Sequence, residues 1–150
     1  MHTRARGFTL AETLVVLVIV GILLAVLPPL LTKGMPSLRL KHAARDVSSG
    51  LRLARGEALR RGVPAVFEID TGARVLRVPT ARKQRSLPED IAIEVTTAAD
   101  AVVGDTTAAF RFYPDGSASG GNILLSIGEQ GFRVTVDWLT GRIHVADEKI

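Results

Sequence analysis

A continuous apolar stretch near the N-terminus constrains this chain more than any other feature of its sequence. Residues 10–31 read LAETLVVLVIVGILLAVLPPLL and contain one charged residue, Glu12. A helix rises 1.5 Å per residue, so this stretch would extend ~33 Å, enough to cross a bilayer core about 30 Å thick. A buried helix of a soluble protein is the weaker interpretation, because the run is apolar on every helical face. We therefore predict one membrane-spanning helix within residues 8–36.

The charges that flank this stretch predict its orientation. Arg4 and Arg6 precede it, and only Lys33 follows it closely. The positive-inside rule then places the N-terminus in the cytoplasm and residues 37–150 on the far side of the membrane, although further basic residues soon after Lys33 weaken the argument. A secretory signal peptide would have a shorter apolar core followed by a small-residue cleavage site. Residues 10–31 do not fit that pattern, because their apolar core is too long and ends in Pro28-Pro29-Leu30-Leu31.

Glu12 is the one charged group in the apolar stretch. A carboxylate costs roughly 2.5–3.5 kcal/mol at the centre of a membrane helix and less near its end. One interpretation is a harmless position at the membrane interface. The other is that the charge is retained for a partner, because ionisable groups within membranes commonly mark functional sites.

The residues around Glu12 resemble a known processing signal. Behind a short basic leader, Gly7-Phe8-Thr9-Leu10-Ala11-Glu12 is similar to the class III signal of type IV pilins and type II secretion pseudopilins. The resemblance implies that residues 1–7 are a leader, that a prepilin peptidase cuts between Gly7 and Phe8, and that the Phe8 amine is methylated. It also implies that Glu12 attracts the N-terminal amine of a neighbouring subunit during fibre assembly. Opposite charges in a low-dielectric medium attract strongly, which is consistent with that role.

Pro28 and Pro29 lie near the end of the apolar stretch. Proline removes an amide donor and clashes with the preceding turn, so the pair predicts a kink or an interruption of the helix. The alternative is that the helix simply ends there. The resemblance to pilins favours a kink.

A second, amphipathic helix is predicted after Pro36, with Ser37 as a possible cap at its start and Gly62 at its end. Its apolar residues recur every three or four positions: Leu40, Ala44, Val47, Leu51, Ala54 and Ala58. The opposite surface carries seven basic residues: Arg39, Lys41, Arg45, Arg52, Arg55, Arg60 and Arg61. A solvated face is one interpretation of these charges, and contact with an acidic partner or with phosphate is the other.

From Val63 onwards the apolar period changes to two, which predicts about seven antiparallel strands. These are Val66–Asp70, Arg74–Val78, residues 91–95, Ala108–Tyr113, Ile123–Ile127, residues 132–138 and Arg142–Ala146. We expect Phe132 and Trp138 in the core and residues 82–85 in a loop. The predicted fold is α+β: a long apolar N-terminal helix continues into an amphipathic helix that packs on an antiparallel sheet domain, residues 37–150.

Several later segments resemble the GspH/FimT family of minor pseudopilins and minor pilins. They are Arg55-Gly56-Glu57-Ala58, the stretch from Phe112 to Ser117 with Gly120-Gly121-Asn122-Ile123, and Thr140-Gly141-Arg142-Ile143. The resemblance implies a structural subunit of the type II secretion pseudopilus, which helps to export folded proteins across the outer membrane. It implies an inner-membrane, single-pass protein with a periplasmic domain. The implied partners are the major pseudopilin, other minor pseudopilins, the inner-membrane assembly platform and the prepilin peptidase.

Two other functions compete with this one. A FimT-like minor pilin acting in pilus assembly or DNA uptake is the alternative, and Arg82, Lys83 and Arg85 are its candidate phosphate contacts. Residues 63–150 hold nine basic and twelve acidic residues, which makes nucleic-acid binding the weaker interpretation. A membrane-anchored enzyme is the third. The chain has no cysteine and no dense acidic loop, so we predict no catalytic residues, no metal site and no cofactor.

Overall fold

The computed structural model describes residues 10–32, 35–97, 102–103 and 106–150. The chain forms two compact units, with the boundary between Pro36 and Ser37.

The first helix, α1, runs from Leu10 to Thr32. It includes Pro28 and Pro29, so the alternative in which the helix ends at the prolines is wrong, while a kink at this point stays a prediction. Large apolar side chains are exposed around its circumference, from Leu10 to Leu23. Among the residues that the structure describes, no helix has both the length and the apolar character that crossing a membrane requires.

The second helix, α2, runs from Met35 to Arg61. The predicted apolar stripe is confirmed, because its six residues are at most 1% exposed: Leu40, Ala44, Val47, Leu51, Ala54 and Ala58. Gly62 ends the helix as predicted, with a left-handed φ of +68° and an N–H that donates to the Ala58 carbonyl at 3.0 Å. Ser37 lies within the helix rather than before it, so the predicted cap at this residue is wrong.

The described residues contain nine strands and one short 3-10 helix at Pro79–Ala81. The strands are β1 Ala65–Asp70, β2 Val75–Val78, β3 Lys83–Ser86, β4 Ala92–Thr96, β5 Val102–Val103, β6 Thr107–Phe112, β7 Gly121–Ile127, β8 Gln130–Val136 and β9 Ile143–Lys149. They form two antiparallel sheets. The first has the order β3-β2-β1-β6-β5 and the second the order β4-β7-β8-β9.

The core of the second unit is formed by the apolar stripe of α2 and the inner faces of both sheets. Phe67 of β1 and Phe110 of β6 are fully buried, and their ring centroids are 6.3 Å apart in a tilted arrangement. Gly50 of α2 lies directly over Phe67, since a Cβ added at this glycine would be 2.5 Å from Phe67 Cε2. The helix therefore approaches the sheet closely at this glycine.

Two strands of the structure are absent from the sequence-based prediction. The sequence predicts a loop at residues 82–85, but Lys83–Ser86 form the edge strand β3, paired with β2. All four residues are exposed, so the strand shows no apolar alternation that a sequence could reveal. The two-residue strand β5 is likewise too short to give a pattern.

The prediction that Trp138 belongs to the core is wrong. Strand β8 ends at Val136, and the chain then turns at Asp137, so Trp138 leaves the alternation and is 66% exposed. Phe132, within β8, is partly buried and packs against the core.

Candidate functional site

The N-terminal segment is the first candidate site. The predicted cleavage residues Gly7 and Phe8 lie outside the described residues. Glu12 lies in the first turn of α1, where a carboxylate interacts favourably with the helix dipole, and it is exposed. In the same turn the Thr13 hydroxyl donates to the Leu10 carbonyl at 2.8 Å.

The exposed apolar surface of α1 is the larger feature of this segment. Leu14 is 55% exposed, Leu17 69% and Leu23 52%, although they point in different directions around the helix. Extensive exposed apolar surface marks a contact with other apolar matter.

Four of the seven basic residues of α2 have partners in the structure. Arg39 is paired with Asp90 at 3.0 Å, and Arg60 and Arg61 are both paired with Glu57. The hydrogen bond from Arg60 holds the pKa of Glu57 below its ordinary value, with the charge of both arginines adding to the effect. The fourth, Arg55, donates from Nη2 to the Thr140 carbonyl at 3.0 Å. Four positions of the basic face are therefore paired within the chain, and contact of this face with an acidic partner or with phosphate stays a prediction.

The candidate nucleic-acid residues Arg82, Lys83 and Arg85 lie together at an edge of the first sheet. Arg82 has a left-handed φ of +51° at the end of the 3-10 helix, and Lys83 and Arg85 follow on the exposed strand β3. Arg85 forms an ion pair with Asp46 of α2 at 3.4 Å. That pairing reduces the positive charge this edge presents to a phosphate.

Two turns of the sheet domain are each organised by a carboxylate. Asp115 accepts hydrogen bonds from the hydroxyl of Ser117 at 2.6 Å and from its N–H at 2.9 Å, which lowers the Asp115 pKa. Asp137 accepts bonds from the Thr140 N–H at 2.7 Å and hydroxyl at 2.8 Å, and these bonds lower the Asp137 pKa. Both carboxylates are therefore held in their charged forms.

These two turns are also joined to each other and to α2. The Ala118 N–H donates to the Trp138 carbonyl at 2.8 Å, and Gly141, at φ +58°, lies against the Gly116 carbonyl and the Arg55 side chain. The three segments that carry the resemblance to the GspH/FimT family thus meet at one place. Trp138 and Leu139 are exposed beside it, at 66% and 63%. Their spacing in the sequence does not predict this exposure.

The chain matches two families. The family described as Type II transport protein GspH matches residues 43–141. The prokaryotic N-terminal methylation motif matches residues 2–28. A curated relative, the type II secretion system protein H of Xanthomonas campestris pv. campestris, is 30% identical over 144 residues, which are 96% of this chain and 85% of the relative.

Solved structures share the fold. The minor pseudopilin EpsH from the type 2 secretion system of Vibrio cholerae is 16% identical, with a TM-score of 0.56 over 72% of this chain and 96% of that chain. The type IV minor pilin FimU of Pseudomonas aeruginosa is 14% identical, with a TM-score of 0.54 over 71% of this chain and 92% of that chain. Both similarities support the α+β fold of helix and antiparallel sheets.

Proposed function

The chain belongs to the GspH family of type II transport proteins, and we propose that it is a minor pseudopilin, a structural subunit of the type II secretion pseudopilus. The match that extends over 96% of the chain to a type II secretion system protein H carries this proposal. In this role the chain performs no chemistry of its own. It would help to export folded proteins by taking its place in a periplasmic fibre.

Membrane anchoring is part of the proposal. Its support is the apolar stretch of residues 10–31 together with the N-terminal methylation motif over residues 2–28. The prepilin peptidase would cut between Gly7 and Phe8, methylation would follow at Phe8, and residues 8–36 would hold the chain in the inner membrane. The N-terminus would then face the cytoplasm and the sheet domain, residues 37–150, the periplasm.

Within the fibre, α1 would be the packing element. Its apolar side chains would lie against the corresponding helices of the major pseudopilin and the other minor pseudopilins after release from the assembly platform. A kink at Pro28 and Pro29 would adjust the helix to its neighbours. Glu12, exposed in the first turn, would attract the N-terminal amine of an adjacent subunit and fix its register.

Replacement of Glu12 tests this arrangement. We expect Glu12→Leu to leave membrane insertion intact, because a charge is removed from an apolar helix, and to reduce incorporation into the fibre. Incorporation is measured by cross-linking and sedimentation of sheared fibres, and secretion by assay of the culture medium. Thr13→Leu is the matched control, since it adds the same side chain one residue further along. Normal incorporation of the Glu12→Leu chain would contradict the pairing role.

The processing step has its own test. Mass spectrometry of the native protein should find an N-terminal methylated Phe8, and a substitution of Gly7 that blocks the peptidase should leave a longer, membrane-bound precursor. Cleavage beyond Leu31, with release of a freely diffusing domain, would contradict the proposal. Normal secretion in cells lacking the chain would contradict the function itself.

DNA capture by a FimT-like minor pilin is the second candidate. Its support is the exposure of Arg82, Lys83 and Arg85 along one edge. A gel shift with duplex DNA tests it, with all three residues replaced by alanine. Binding that persists at physiological salt and is lost in this variant would favour DNA capture. We expect instead weak binding that salt removes, because Arg85 is already paired with Asp46.

A further inference from the structure

Three basic residues of α2 differ from the other four. Lys41, Arg45 and Arg52 are exposed, and among the described residues none of them forms an ion pair or a hydrogen bond through its side chain. Their spacing of four and seven places them on one stripe of the helix. This stripe is therefore the unneutralised part of the basic face.

The three bases line a single groove beside the second sheet. The groove has a volume of about 250 Å³ and is lined by Lys41, Ala44, Arg45, Ser48, Arg52, Phe132 and Val145. Its floor is apolar, formed by Phe132 of β8 and by Val145 of β9, which is 42% exposed. Ser48 donates its hydroxyl to the Arg45 carbonyl at 3.0 Å, so its donor is already used. The groove thus combines an apolar floor with a positive wall.

Strand β9 bounds this groove and is the last strand of its sheet. Val145 is in register with the buried Val134, and cross-strand partners share a face, so Val145 lies on the same side of the sheet as the core. Asp147, in register with Phe132, lies on the same face of the sheet. The other edge of β9 has no strand beside it in the described part of the chain.

We propose that this groove binds an extended acidic segment of another subunit of the fibre, which adds as a strand along β9. This inference rests on the proposed function. Apolar side chains of the segment would cover Phe132 and Val145, and its carboxylates would pair with Lys41, Arg45 and Arg52. An unpaired edge strand is a ready template for such addition, and side chains on alternate positions give it specificity.

Charge and shape both favour a peptide over a nucleic acid. Phosphates would satisfy the three bases but would leave the apolar floor uncovered. An extended peptide meets both requirements, because its alternate side chains face the same side.

Site-specific photocross-linking in the protein's own cells tests this inference. The probe is p-benzoylphenylalanine in place of Phe132, which preserves an aromatic ring on the groove floor. The same probe in place of Thr135, exposed on the opposite face of β8, is the positional control. We expect the Phe132 probe, and not the Thr135 probe, to join the chain to another subunit at a segment rich in Asp and Glu, as identified by mass spectrometry.

A triple charge variant then tests the role of the basic wall. Lys41→Gln, Arg45→Gln and Arg52→Gln should reduce the cross-linked product about tenfold, because three exposed ion pairs each contribute a few-fold. Arg39→Gln, Arg60→Gln and Arg61→Gln remove the same charge from the same helix and should leave the product unchanged. Circular dichroism of both variants verifies that they fold.

The possible results separate clearly. Cross-links to nucleic acid, to lipid or to a segment without surplus acidic residues would overturn the inference, as would equal products from the two triple variants or none from the Phe132 probe. If the cross-linking result contradicts the inference but cells lacking the chain no longer secrete, the groove assignment is wrong and the proposed function stands. If cells lacking the chain secrete normally, the proposed function is wrong, whatever the probe cross-links.

Discussion

Arg55 of α2 donates a hydrogen bond from Nη2 to the carbonyl of Thr140, which lies 85 residues later in the chain. This bond joins the helix to the turn between β8 and β9. The same turn contacts the Gly116 carbonyl through Gly141. Arg55 therefore links two segments of the chain that no local pattern connects.

Replacement of Arg55 by methionine tests this link. Arg55→Met keeps an apolar stem over the core but removes the bond to Thr140, and we expect a loss of about 1 kcal/mol in the free energy of unfolding. The measurement is urea denaturation of the full chain in detergent, followed by circular dichroism. Arg52→Met is the matched control and should change the unfolding free energy by much less. Equal losses in the two variants would show that the Thr140 bond contributes nothing.

A methyl group at Gly50 should separate α2 from the first sheet. The added Cβ would meet the fully buried ring of Phe67, so we expect Gly50→Ala to destabilise the fold by about 1–3 kcal/mol despite the better helix propensity of alanine. Gly56→Ala, in the same helix with no atom within 4 Å, should instead stabilise it by about 0.5–1 kcal/mol. Chemical denaturation of both variants compares them. A stable Gly50→Ala chain would mean that Phe67 can move.

Two glycines in different turns form a second matched pair: Gly141 lies between β8 and β9, and Gly128 lies between β7 and β8. Gly141 and Gly128 have nearly the same left-handed φ, +58° and +57°, but only a Cβ at Gly141 would contact other atoms, those of Gly116 and Arg55. Gly128→Ala should cost about 1 kcal/mol from backbone strain alone, and Gly141→Ala about 1–3 kcal/mol more from the steric conflict. Thermal unfolding of the two variants measures the difference. Equal losses of stability would show that the turn of Gly141 and the turn of Gly116 can move apart to accept the added methyl group.

Asp137 should make stability depend on acid. Bonds from Thr140 lower its pKa from the ordinary value of 3.8, so its contribution is complete above that pH and is lost as the pH falls through the lower folded value. Asp137→Asn should therefore be less stable than the native chain at neutral pH, and the difference should shrink below pH 3.8. Denaturation curves between neutral and acid pH measure this, with Asp147→Asn as the control. A difference that is independent of pH would contradict the assignment.

Regular elements were predictable from the sequence because burial imposes a period on it. The stripe from Leu40 to Ala58 follows a helical period, and each of its residues is buried. The hairpin of β1 and β2 follows a period of two on either side of a turn, and the register confirms it. The processing residues Gly7 and Phe8 and the assembly residue Glu12 rest on a motif, and their roles stay predictions.

The remaining features depend on contacts that a linear pattern does not contain. Strand β3 is polar and exposed, and only its pairing with β2 makes it a strand. Trp138 has the alternate spacing of a strand residue in the sequence. It lies outside the strand because the chain turns at Asp137, whose carboxylate accepts a hydrogen bond from the Thr140 N–H. The division of the basic face into paired and unpaired residues depends on which acidic groups the fold brings to α2, such as Asp90 beside Arg39.

The division of strands between the sheets determines which sheet can form first during synthesis. Every strand of the first sheet lies before residue 113, while the second sheet needs the very last strand, Ile143–Lys149. During synthesis from the N-terminus, the first sheet can form while the second still lacks its outermost member. We therefore expect a nascent chain cut short before β9 to retain half of its architecture and to leave β8 open to aberrant pairing.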